Sequence, residues 1–139
     1  MRFLQYFLVG AMLCLFMGVH PASADVIGTT DEQVKAIAEP VLNGILEGFK
    51  TDDYALYSKD FDGTLKDAIP EGEFVRVDGQ IEDMFGNCES KKYLGFLRKG
   101  KMTAVLWKAK FAKTEDDVLI KLLMSKRGDK YVVTGLWFQ

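Results

Sequence analysis

Histidine occurs once in this 139-residue chain, as His20, and cysteine twice, as Cys14 and Cys88. Where these three residues sit decides which nucleophilic and metal chemistry is open to the protein. His20 and Cys14 fall within residues 1–24, which read as an export leader. Arg2 is the only charge before Asp25, the run from Phe7 to Val19 is apolar, and Pro21-Ala22-Ser23-Ala24 ends in the small-x-small pattern that a signal peptidase accepts. The apolar run is short for a bilayer span of about 20 residues. Leu13 before Cys14 is too bulky for a lipidation site. Cleavage after Ala24 places a single domain of residues 25–139 in the periplasm or outside the cell. That domain has no imidazole, which excludes Ser-His and Cys-His catalysis and the usual zinc arrangements; no metal or cofactor is expected. Cys88 cannot form an internal disulfide. It is either a free or interchain thiol, or a small apolar residue at the start of a strand.

The remaining groups with chemical potential are carboxylates, phenols and lysines. Carboxylates cluster at Asp52, Asp53, Asp60 and Asp62 and again at Glu71, Glu73, Asp78, Glu82 and Asp83. A calcium loop needs ligands at alternating positions around a central glycine, and DDYALYSKDFDG lacks that alternation. Helix caps and solvated faces account for these residues. Tyr54, Tyr57 and Phe61 share helical spacing, so their rings are either amphipathic core or the wall of a pocket; the same two readings hold for Trp107 and Trp137. Charge is segregated. Residues 25–87 carry 5 basic and 15 acidic groups, and residues 88–139 carry 12 basic and 5 acidic ones. Lys91, Lys92, Arg98, Lys99 and Lys101 crowd one predicted hairpin, and Lys126, Arg127 and Lys130 another. Such tips suit an anionic partner, a phospholipid head group or an acidic polymer, with membrane-surface contact as one form. Equally, they suit acidic helices laid over a basic sheet, with lysines guarding its edges. Arg127-Gly128-Asp129 spells an adhesion tripeptide but sits where a tight hairpin needs Gly-Asp. Phosphate-loop, nucleophile-elbow and glycosylation motifs are absent from the sequence, and an acidic, exported chain is not expected to bind nucleic acid.

Three helices, one further short segment and four extended segments must position these groups. Thr30 opens a helix with Gln33 placed for a capping box, and apolar residues recur from Val34 to Phe49 at helical spacing. Pro40 inside it predicts a bend. A short helix capped by Thr51 or Asp52 follows, then a segment framed by Gly63 and Pro70, then a helix through EFVRVDGQIEDMFGN that Gly86 stops. After Asn87 the period falls from 3.6 to 2. Strands are predicted at 88–98, 102–112, 117–126 and 130–138, joined by turns short enough to require an antiparallel meander. The fold class is therefore α+β. Taking the alternation as unbroken puts Val105, Trp107, Phe111, Ile120, Leu122, Val133 and Trp137 on one face, and Leu106, Leu119, Leu123, Leu136 and Phe138 on the other. The helices can cover only one of these faces, so the second is expected to pair with another copy in a two-fold dimer.

The order of elements, with DDYALYSKDF on a short second helix, VLWKAKF within the meander and VVTGLWFQ at its end, resembles the nuclear transport factor two-like (cystatin-like cone) superfamily, in particular its small exported bacterial members of unassigned function. The resemblance implies a four-stranded sheet curled around the long helix, enclosing an apolar cavity. It implies a small, partly apolar molecule or a peptide as ligand, bound among Tyr54, Tyr57, Phe61, Phe74, Asp78, Trp107 and Trp137. Ketosteroid isomerases of that superfamily join an aspartate base to a tyrosine and a protonated aspartate, so an acid/base isomerase or lyase is the alternative. A third reading is a protein-interaction module with no ligand cavity. Shared fold leaves the choice among them open.

Overall fold

The computed structural model describes residues 24–139, so residues 1–23 of the proposed leader lie outside the described residues, while Ala24 and Asp25, on either side of the proposed cut, are described. Helices α1 (Asp31–Lys50), α2 (Tyr54–Ser58), α3 (Gly63–Ala68) and α4 (Glu71–Met84) pack against a curled antiparallel sheet that forms a half-barrel. Its long strands are β2 (Cys88–Lys99), β3 (Met102–Phe111), β4 (Val118–Arg127) and β5 (Lys130–Phe138). A fifth strand escaped the sequence reading: β1 (Ala24–Asp25) pairs with Arg127 and Lys126, continuing the line of β3 along β4.

Local chemistry explains the helix limits. Thr30 Oγ1 accepts from the Gln33 N–H at 3.2 Å, and Gln33 Oε1 accepts from the Thr29 N–H at 3.0 Å, one residue earlier than a capping box would have it. Such bonds satisfy amide donors that a helix start leaves unpaired. Helix α1 runs through Pro40 without interruption. The cap of α2 is Asp53, not Thr51 or Asp52, and that of α3 is Asp62; each carboxylate accepts from the amide three residues on. Two members of the first carboxylate cluster are thus helix caps. Gly86 ends α4 at φ +71°, in the left-handed region that glycine enters without a Cβ penalty. Gly100 and Gly128 hold the first loop positions of the β2–β3 and β4–β5 hairpins at φ +62° and +61°, so the Arg-Gly-Asp tripeptide is a tight hairpin turn.

The core lies between α1 and the concave sheet face. Val34, Ala38, Leu42 and Ile45 supply the helix side, and Val105, Trp107, Ile120, Leu122 and Val133 the sheet side, all buried. Gly48 allows α2 to approach α1 closely: a Cβ there would stand 2.7 Å from the Tyr57 backbone nitrogen.

The strands do not keep the unbroken alternation read from the sequence. Pairing passes from Met124↔Val133 to Leu123↔Gly135, so Thr134 is an extra residue in β5. An extra residue reverses the side-chain parity beyond it. Leu136 and Phe138 therefore pair with Leu122 and Ile120 on the concave face, while Trp137 pairs with Lys121 on the convex face and is 41% exposed. The expected assignment of these three residues is reversed. The strand can bulge at Thr134 because Val133 beside it bonds outward: its N–H donates to Asp60 O at 2.7 Å and its carbonyl accepts from the Asp62 N–H at 2.9 Å.

Candidate functional site

Four of the seven proposed pocket residues are packed into the core. Tyr57, Phe61, Phe74 and Trp107 are each 4% exposed or less. Tyr57 is the hub of an aromatic cluster, with ring centroids 4.7 Å from Phe74 and 4.8 Å from both Phe61 and Phe49. Tyr54 joins this cluster at its edge, and its hydroxyl donates to Ile69 O at 2.9 Å, holding the end of α3. Burial first, then the neighbouring Tyr54 and Asp78, pushes the Tyr57 phenol up to about 12. It therefore stays neutral through the physiological range. Trp107 lies elsewhere, against Tyr93, and Trp137 is on the opposite side of the sheet.

Space for a ligand lies beside α1, not within the aromatic cluster. One cleft of about 660 Å³ opens between α1, α4 and the start of β2. Its apolar floor is Leu46, Phe49, Ile81 and Phe111; Glu47, Asp78, Glu82 and Glu89 supply carboxylates, and Lys50 and Lys91 are its cations. Lys91 is already engaged, donating to Glu39 Oε1 at 2.7 Å, and Lys113 pairs with Glu82 at 3.3 Å. Of the seven pocket residues, Asp78 alone lines this cleft. Its carboxyl is raised to about 6, first by burial and then by the neighbouring Asp52 and Glu82 carboxyls. Asp52 sits beyond the end of α1 at φ +53°. A second cleft of about 730 Å³ runs along the other flank of α1, between Ile37 and Val41, Phe61, and the turn end of the β4–β5 hairpin. Lys59, Lys66, Arg127 and Lys130 give it a cationic rim beside Asp60 and Asp62.

The predicted cationic patch is divided. Lys91 is half-buried in its ion pair, and Arg127 pairs with the buried Asp62 at 3.1 Å. Lys126 lies 5.9 Å from the Tyr131 ring centroid. Lys92, Arg98, Lys99, Lys101 and Lys130 are exposed. Cys88 borders the first cleft half-buried; burial is the main cause that raises its thiol, so it stays protonated. No group of three or more potential metal ligands is gathered among the described residues.

The residue that sequence reading missed is Glu39. Its Oε2 accepts from Trp107 Nε1 at 2.8 Å while its Oε1 accepts from Lys91. Burial pushes this carboxyl up, but the hydrogen bonds from Lys91 and Trp107 and the charges of Lys91 and Lys35 outweigh it and hold it below the usual carboxylate value. In the sequence Glu39 falls on the polar flank of α1, between Lys35 and Asn43 at helical spacing, so nothing local set it apart. Comparison with known protein families, curated proteins and solved structures finds no match for this chain.

Proposed function

We propose that the chain is an exported binding domain of the nuclear transport factor two-like kind that holds a small, partly apolar amine in the cleft between α1, α4 and β2. The observation that carries this reading is the pairing of an apolar floor, Leu46, Phe49, Ile81 and Phe111, with a rim whose carboxylates outnumber its free cations. Small-molecule sites commonly combine apolar walls with a few placed polar groups. An ammonium head would sit among Glu47, Asp78 and Glu89, with its hydrocarbon part on the floor. The curled half-barrel and the order of elements support the superfamily assignment, and the leader-like residues 1–24 support export.

The test is titration of the protein with octylammonium, octanoate and octanol, followed by amide chemical shifts. Octylammonium is expected to bind tightest and to shift residues 86–91 and the α4 backbone. Asp78→Asn should weaken it about fivefold, the loss of one partly solvated charge contact of about 1 kcal/mol. Octanoate binding as well as octylammonium, or shifts confined to other surfaces, would refute the reading. A second reading, acid/base catalysis, draws on the elevation of Asp78 to about 6 beside an apolar floor. Neither tyrosine of that reading lines the cleft: Tyr57 is buried in the aromatic cluster and the Tyr54 hydroxyl donates to Ile69 O.

A further inference from the structure

The convex face of the sheet carries a pattern that the cleft does not use. Cross-strand registers set Leu97, Ala104, Leu123 and Gly135 in one row, with Leu106, Lys121 and Trp137 in the next. Lys92 and Lys108 form a cross-strand pair at one end of these rows; Lys99 and Met102 form one at the other. Leu97, Met102 and Trp137 are 50%, 37% and 41% exposed. The Trp137 ring lies over Gly135, where any Cβ would meet it, and Lys121 Nζ stands 4.3 Å from that ring's centroid. Lys92, Lys99, Lys108 and Lys121 have no carboxylate within ion-pair distance among the described residues.

We propose that this face docks on the surface of an anionic phospholipid bilayer. The interleaving of groups selects that occupant. A soluble polyanion would engage the lysines but leave Leu97, Met102 and Trp137 in water. A second copy related by a two-fold axis would bring four unpaired lysines against the same four. A lipid interface accepts both classes of side chain: leucine, methionine and tryptophan enter the head-group boundary while lysine stems lie along it and their ammonium groups meet lipid phosphates. The acidic helical half, with 15 acidic to 5 basic groups in residues 25–87, makes the molecule electrically polar, so an anionic surface attracts the sheet side first. The inference is independent of the cleft and of what fills it.

The full chain is to be mixed with phosphatidylcholine vesicles with and without phosphatidylglycerol, and binding read by co-sedimentation and tryptophan emission. The chain has two tryptophans, and Trp107 is fully buried, so an emission shift with native circular dichroism reports Trp137. Binding that needs phosphatidylglycerol, weakens with salt and shifts the emission to the blue is expected. Lys92→Glu with Lys108→Glu should lower it at least about tenfold, and Leu97→Ser should lower it several-fold while leaving the fold intact. Equal binding to both vesicle types, insensitive to these variants, would assign the binding to the apolar leader and overturn the proposal. An equal emission shift with soluble polyglutamate, or a dimer that buries Trp137 without lipid, would also overturn it.

Discussion

Replacing Glu39 by Ala tests how α1 is fastened to the sheet. The substitution removes the acceptor of the Trp107 indole N–H, on a residue with no solvent exposure. An unsatisfied buried donor costs about 1–3 kcal/mol. It also strips Lys91, whose side chain is 18% exposed, of its ion-pair partner; that ammonium can reach water, so this adds about 1 kcal/mol or less. A loss of about 2–4 kcal/mol is expected, a large part of a small domain's stability. Glu39→Gln keeps an acceptor for the indole and should cost about 1 kcal/mol. Asp117→Asn removes the 2.8 Å pair with Lys110, both side chains about half exposed, and should leave stability nearly unchanged, because solvent screens such a pair. Urea unfolding followed by circular dichroism measures all three, with the Glu39→Ala midpoint falling by about 1–2 M at unchanged slope. The pH dependence adds a second reading. Because the folded Glu39 carboxyl lies below its unfolded value, its contribution is fully present above that unfolded value, near 4.5. It is lost as pH falls from there through the depressed folded value, and Glu39→Gln should flatten this acid limb. If Glu39→Ala matched the native protein, or Glu39→Gln were as damaging as Glu39→Ala, the indole–carboxylate bond would not be what joins helix to sheet.

Gly48→Ala drives a Cβ into the Tyr57 backbone and should destabilise by about 2 kcal/mol or more, measured as a lower thermal midpoint; a neutral result would mean that α1 and α2 separate freely. Asp78 should titrate near 6 by carboxyl NMR. Its folded value is raised, so the stability it contributes is present at low pH and is lost between about 4 and 6 as pH rises; Asp78→Asn should therefore make the protein more stable than the native form at pH 7 and not at pH 3. Tyr54→Phe leaves the Ile69 carbonyl without its donor and should cost about 1 kcal/mol in the same urea assay. Gly135→Ala must displace the Trp137 ring, which a change in tryptophan emission would register.

The sequence by itself determined whatever depends on neighbours along the chain. Thr30, Asp62 and Gly86 mark helix ends because a side chain three residues away, or a missing Cβ, settles the local backbone. Gly100 and Gly128 fix two hairpin turns in the same way. The change of hydrophobic period after Asn87 located the meander to within about a residue of its observed strands. Only the tertiary structure decided what depends on partners far along the chain. Thr134 bulges because Val133 finds hydrogen bonds with Asp60 and Asp62 outside the sheet, and that one extra residue carries Trp137 to the convex face. Glu39 meets Trp107 across 68 residues. The aromatic residues at helical spacing around Tyr57 fill the interior, leaving the open space along α1, because packing density is a property of facing surfaces and not of either surface alone. Period and composition fix which side chains share a face within one element; register, bulges and the gaps between elements are set by the elements they meet.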